Sequence, residues 1–279
     1  MSEDPPVWRL LIDPPQDGAW NMAVDEAILE AAASASEPVL PTVRLYAWAP
    51  AALSLGRFQQ AAGAHDPAYL AAEGIDLVRR PTGGDAVLHE DERTFAVVGA
   101  TRSEFFPGGV ADTYDRIRRA IARALEALGI ATDPPVAFAD RRARRGPVCF
   151  DRLGAHEIGA GGRKLVGAAQ ARRARAFLQH GSIPRALDPE HLSRATGASV
   201  DAVRLTDLTR RLGGDPGTAD IDRAIVRGFA ECFGVRLEQR ALSASESLRA
   251  AELRCWKYDS MAWTRHGRIG EREARWGRP

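Results

Sequence analysis

Three places in the sequence combine residue type and spacing in a way that supports chemistry. The first is Cys149, in the stretch Gly146-Pro147-Val148-Cys149-Phe150-Asp151. A thiolate is an effective nucleophile when it is accessible and near positive charge, and arginines crowd the residues just before this cysteine. A lone cysteine is more often an inert small hydrophobe, but Cys149 lacks the periodic apolar neighbours of a core position. Cys232, by contrast, falls on the helical face of Ile221, Ile225 and Phe229 and reads as structural.

The second is Lys164, in the run GGRKLVGAAQ. Of 38 lysines and arginines, only Lys164 and Lys257 are lysines, which leaves 36 arginines. Arginine cannot easily replace lysine where a compact ammonium or an adjustable pKa is needed, so each surviving lysine becomes a candidate for specific chemistry. A coding bias towards arginine accounts equally well for either lysine alone. Gly167 and the paired alanines after it leave room beside the strand. For Lys257 the simpler roles are packing or a charge interaction with a helix C-terminus.

The third is the run RRPTGGDAVLH over residues 79–89. Gly83 and Gly84 after a strand let backbone N–H groups face a ligand, with Arg79 or Arg80 supplying charge. This is not the phosphate-loop pattern, which needs a lysine and a hydroxyl residue after the glycines; an ordinary β-turn explains the same glycines. His89 and His180 sit in strand-like contexts, where a hydrogen-bonded structural histidine is the commoner role. His156 lies seven residues beyond Cys149, and spacing alone does not make a Cys–His pair. The RRARR run at 141–145 reads as a solvated loop, or as a patch that steers an acidic carrier domain.

The elements that must position these groups follow from periodicity. Residues 20–33 predict a helix capped by Asn21, with Trp20, Val24 and Ile28 four residues apart. Residues 42–48 alternate as a strand, and residues 52–58 form a second one beyond a short turn containing Pro50. Residues 75–80 make another strand, and the AVLH stretch and residues 94–100 continue the strand-rich block. Tyr114, Ile117, Ile121, Leu125 and Leu128 mark an amphipathic helix ending near Gly129. Residues 132–147 show no periodicity and read as an exposed loop. Residues 163–170 and 174–183 form a strand pair across an arginine-rich turn. Ile221, Ile225, Phe229 and Phe233 mark a third helix, and Ser243 with Glu246 forms a capping box that opens a fourth.

Irregular alternation with hairpin-like links predicts an α+β fold with a mixed sheet and flanking helices. No repeat or low-complexity linker divides the chain, so one domain is expected over residues 1–279, its core spanning about 8–265. A formal net charge of +1 gives no global field towards nucleic acid or a membrane. No stretch approaches the ~18 apolar residues of a membrane span, and the acidic, proline-bearing start MSEDPPVWRLL does not resemble a secretory signal. Three sparse cysteines form neither a disulfide framework nor a zinc site, so a reducing cytoplasm is expected.

Taken in order, NMAVDEAIL, TVRLYAW, ALSLGRFQ, RRPTGGDAVLH, GRKLVGAAQ, LQHGSI and KYDSMAW resemble the lipoate–protein ligase and octanoyltransferase family, which is related in fold to biotin ligase catalytic domains. ATP-dependent members typically carry an asparagine–aspartate type sequence ahead of the GRK strand. Here that place reads Val148-Cys149-Phe150-Asp151. This is similar to the cysteine-dependent branch that octanoylates the glycine cleavage H protein.

The resemblance implies an octanoyl-acyl carrier protein donor and a lipoyl-accepting protein, the glycine cleavage H protein, as acceptor, with no cofactor. It implies Cys149 as nucleophile and Lys164 as its electrostatic partner. Arg79, Gly83, Gly84, His89, Gly167 and His180 would line the acyl site. Alternatives are an ATP-dependent lipoate ligase, an amidotransferase moving the acyl group between lipoyl domains, and a non-catalytic acyl-binding module.

Overall fold

The computed structural model describes residues 4–37, 39–135 and 157–268. Its larger sheet has seven strands: β1 (Val7–Ile12), β2 (Thr42–Tyr46), β6 (Glu92–Ala100), β7 (Ile158–Ala160), β8 (Arg163–Arg173), β9 (Ala176–Pro184) and β10 (Arg236–Gln239). They lie in the order β10-β1-β2-β6-β9-β8-β7. β1 runs parallel to β10 and β2, and the other neighbours are antiparallel. A smaller sheet has the order β4-β3-β5, from β3 (Ala52–Leu55), β4 (Asp76–Arg79) and β5 (Val87–His89).

Both faces of the large sheet are covered. On β6, Phe95 and Val97 pack with α3 (Val110–Ala127) and α6 (Thr218–Phe233), while Ala96 and Val98 pack with α1 (Gly18–Ser34) and α7 (Ala244–Leu253). A strand buried on two faces reads as the continuous apolar run seen here rather than as alternation. Full burial of a side chain such as Phe177 or Leu178 contributes about 1.5–3 kcal/mol. A third core joins the small sheet to α2 (Pro67–Glu73) and α4 (Pro189–Thr196), through Leu53, Leu55, Leu70, Leu88 and Leu192. The short α5 (Leu208–Leu212) and α8 (Met261–His266) complete the helices, α8 following a π-helical turn at Arg254–Tyr258.

Three local expectations change. Asp17, not Asn21, caps α1, accepting from the Trp20 amide at 2.8 Å. Asn21 lies one turn inside the helix, where its amide donates to the carbonyls of Gln16 and Ala47 at 3.1 and 3.0 Å. The strands at 42–46 and 52–55 belong to different sheets, so residues 47–51 are a crossing and not a hairpin turn. Cys232 is exposed in the last turn of α6, and Phe233 closes that edge with its ring 4.6 Å from Trp8. The strand pair at β8 and β9 and the capping box of Ser243 and Glu246 form as expected.

Candidate active site

Side chains on one face of a strand recur every two residues. On β9 that series runs Ala176, Leu178, His180, Ser182: the first two pack in the α1 core, and the last two line a cleft. The cleft lies between the two sheets and is narrow, with a free volume of about 30 Å³. Gly167, Ala168, Ala169 and Gly181 give it small side chains along β8 and β9. Met22, Trp48 and Val87 add apolar surface, and Ser54, Arg80 and His89 approach from the small sheet. Gly181 has a packing reason to lack a side chain, since a Cβ there would lie 2.5 Å from the Phe95 ring and 2.7 Å from the Gly167 carbonyl.

His180 is held by a buried network. A carboxylate only accepts, so His180 Nδ1 donates to Asp25 Oδ2 at 3.0 Å. Asp25 also accepts from Arg44 Nη1 at 2.7 Å and from the Tyr46 hydroxyl at 2.9 Å. Arg44 in turn holds Asp13 at 2.7 Å and the side chain of Asn21 at 3.0 Å. Burial alone would raise the Asp25 carboxyl, but the Arg44 charge and the His180 hydrogen bond hold it below its ordinary range. Burial pushes the His180 imidazole below its usual value despite Asp25. The ring is therefore uncharged at neutral pH, and the Thr82 hydroxyl, 2.6 Å away, donates to Nε2.

His89 has a parallel arrangement. Its Nδ1 donates to Glu92 Oε1 at 2.9 Å, and Nε2 faces Ser54 Oγ at 2.8 Å. Ser54 also accepts from Arg80 Nη1 at 3.1 Å. Trp48 stacks on His89 with centroids 4.0 Å apart and donates its indole N–H to Thr94 at 2.7 Å. The hydroxyls of Thr94 and Ser182 both donate to Glu92. Burial would raise the Glu92 carboxyl, yet His89 and these donors hold it below its ordinary range. Both imidazoles thus wall the cleft with their Nε2 atoms occupied by hydroxyls.

Of the residues singled out from sequence, His89, Gly167 and His180 come together in this cleft. Arg79 lies elsewhere: its guanidinium is buried among the carbonyls of Gly56, Gln59, Trp263, Thr264 and Arg265, clamping the start of β4's exit to α8. Arg80 is the arginine at the cleft. Gly83 and Gly84 form the turn around it, with the Gly83 and Asp85 carbonyls accepting from Arg80 Nη2 at 2.8 and 2.7 Å. The turn thereby presents carbonyls to the arginine, and Gly84 adopts a φ of +95°. Lys164 is 1% exposed, three residues before Gly167, and its ammonium donates to Glu157. Lys257 is buried too, donating to Glu26 Oε2 at 2.5 Å beside Tyr258 and Arg173, with its Nζ 4.0 Å over the Trp263 ring. Cys149, His156 and the arginine run at 141–145 lie outside the described residues.

Sequence reasoning missed Asp25, Arg44, Ser54, Thr82 and Glu92 as parts of the site. Asp25 and Glu26 sit in a helix, where paired acids normally mark a solvated face; their position on the same face as Met22 and Leu29 was the available signal. Among the described residues no cluster of three metal-ligating side chains occurs, and no helix is long and apolar enough to cross a membrane.

A model of the lipoyl protein ligase A/B catalytic domain matches residues 17–230. Over 274 residues the chain is 40% identical to the octanoyltransferase LipM of Kyrpidia tusciae, covering 92% of this chain and 97% of that one. LipM of Moorella thermoacetica is 38% identical over 271 residues with the same coverage. Among solved structures, lipoate-protein ligase A bound with ATP superposes with a TM-score of 0.78 at 26% identity, over 92% of this chain and 98% of that one. A T. acidophilum protein described as a lipoate protein ligase, with bound lipoic acid, gives 0.77 at 26% identity and the same coverage. The α+β, lipoate-ligase-like fold expected from sequence is the fold observed.

Proposed function

Because the chain belongs to the lipoyl protein ligase A/B catalytic-domain family and is an acyltransferase, we propose that it transfers an octanoyl group in lipoate biosynthesis. The donor is octanoyl-acyl carrier protein, and the acceptor is a lysine of a lipoyl-accepting protein, the glycine cleavage H protein. The observation that carries this reading is the cleft itself. Its small walls at Gly167, Ala168, Ala169 and Gly181 and its stacked Trp48 make a narrow apolar slot, and an unbranched aliphatic chain is the acyl shape that requires least widening of it. Each CH₂ buried there contributes ~0.8 kcal/mol.

In the proposed reaction the Cys149 thiolate attacks the thioester carbonyl carbon, the bond to the carrier sulfur breaks, and the carrier thiolate leaves and takes up a proton. One thioester replaces another, so the step needs no ATP. The uncharged amine of the acceptor lysine then attacks the acyl-enzyme, loses a proton, and expels the Cys149 thiolate as the amide forms. Lys164 lowers the thiol pKa, stabilises the carbonyl oxygen, or does both. His180 and His89, with their Nε2 atoms satisfied, wall the acyl chain rather than shuttle protons.

The test is an intact-mass measurement after mixing the protein with octanoyl-acyl carrier protein in the absence of ATP. An octanoyl adduct that hydroxylamine removes, and that Cys149→Ala lacks, is expected. Product that forms only with ATP and free acid, together with ATP/pyrophosphate exchange, would instead identify a ligase. Lys164→Arg keeps the charge but misplaces it, and is expected to lower the rate of adduct formation by at least about tenfold. A wild-type rate in that variant would remove Lys164 from the reaction.

A further inference from the structure

A second depression lies beside the acyl cleft and shares none of its lining residues. It runs between the segment that follows β3 and α8. Phe58 and Met261 border it with 86% and 54% of their surfaces exposed, two apolar side chains on the rim of one groove. Arg57, Arg265 and Arg268 also line it, and no aspartate or glutamate does among the described residues. None of these three arginines forms an ion pair with a described carboxylate. Elsewhere the arginines are heavily paired, as Arg9, Arg44, Arg93, Arg185 and Arg249 each hold one. On a chain whose charges nearly cancel, this groove gathers three guanidiniums, one of them hydrogen-bonded to the Gly267 carbonyl, with no carboxylate paired to them among the described residues.

We propose that the groove docks the acyl-donor carrier protein, through an acidic surface of that partner which sets an apolar residue against Phe58 and Met261. The inference rests on octanoyl transfer from a carrier thioester, as proposed above. Unpaired guanidiniums attract and orient an acidic partner, and desolvated apolar anchors then hold it. Placement separates donor from acceptor. A carrier presents its thioester on a long flexible arm and can dock beside the cleft. An acceptor lysine has a short side chain and must bring its own backbone to the cleft mouth. Groove and cleft are one turn apart: the Arg57 amide donates to the Thr82 carbonyl at 2.7 Å, and Thr82 meets His180 through its hydroxyl.

The experiment compares wild type with an Arg265→Glu/Arg268→Glu variant and with Phe58→Ala, in the full-length protein. KM and kcat are measured with octanoyl-acyl carrier protein and with octanoyl-pantetheine, which offers the same thioester without a protein surface. The charge reversal is expected to raise KM for the carrier donor by about tenfold or more. Its kcat, and both constants for octanoyl-pantetheine, should stay at wild-type values. Wild-type KM for the carrier should also rise with salt, and the variant's should not. An unchanged carrier KM overturns the docking site while leaving acyl transfer intact. Equal losses with both donors also overturn it, because the groove then supports the fold or the cleft. A wild-type dimer that the reversal dissociates would assign the groove to a second copy of the chain. Failure of wild type to accept either thioester removes the transfer reaction and the donor site with it.

Discussion

The two walls of the cleft reach the same local chemistry by different routes. On the small sheet, His89 meets Glu92 three residues away, within one turn of chain. On the large sheet, His180 meets Asp25, which lies 155 residues earlier on α1. The charges are balanced differently too. Asp25 is paired with the fully buried guanidinium of Arg44, whereas Glu92 has no arginine partner among the described residues and is held by hydroxyls, an indole and an imidazole. A local motif can thus rest on hydrogen bonds, while the long-range one is an ion pair that fixes where helix and sheet meet.

That contrast can be broken experimentally, beginning with the largest effect. Asp25→Ala leaves Arg44 buried beside an empty space, and breaking a buried pair from one side costs about 3–5 kcal/mol. Denaturant unfolding should show that loss; a change below 1 kcal/mol would mean that Asp13 alone suffices for Arg44. Glu92→Gln keeps the shape but replaces one acceptor oxygen with a donor facing Ser182, so about 1–3 kcal/mol is expected. A cost equal to that of Asp25→Ala would erase the distinction between the walls.

The smallest effect is in pH. The folded-state pKa of His180 lies below its ordinary value of 6.5, so folding favours the neutral ring. Its contribution is fully present above about 6.5 and is lost as the pH falls towards the folded-state value. Asp25, Glu26 and Glu92 are likewise lowered from ordinary values of 3.8 to 4.5, and their contributions fade only below that range. The melting temperature should therefore begin to fall below pH 6.5, before Asp25, Glu26 or Glu92 protonates. His180→Gln should lack this first decline while keeping the second. A decline of the same size in that variant would place the early proton uptake on another group.

What was legible in the sequence follows the same division. The strand pair carrying Lys164, Gly167 and His180 was visible because period and turn are local properties. The two lysines that rarity singled out are both buried on carboxylates, Lys164 on Glu157 and Lys257 on Glu26. The partner of Lys257 was not visible, because Glu26 is 231 residues away and nothing in either segment names the other. Choosing between Arg79 and Arg80 failed for a related reason. Neighbours on a strand point to opposite faces, and which face holds the cleft depends on a second sheet that the chain reaches only by crossing at residues 47–51. Asn21 looked like a cap because its type suits one, but Arg44 from β2 claims it.

Helix α1 carries a consequence of its own. Asp25 and Glu26 are consecutive, yet one carboxylate serves the cleft and the other serves Arg173, Lys257 and Tyr258 near the C-terminal turn. Inserting or deleting a single residue upstream within the helix would rotate both by about 100° and take them from their partners together. A length change between α1 and β2 would leave their phase intact, whereas one inside α1 would not. The helix acts as a fixed gauge whose phase sets both pairings at once.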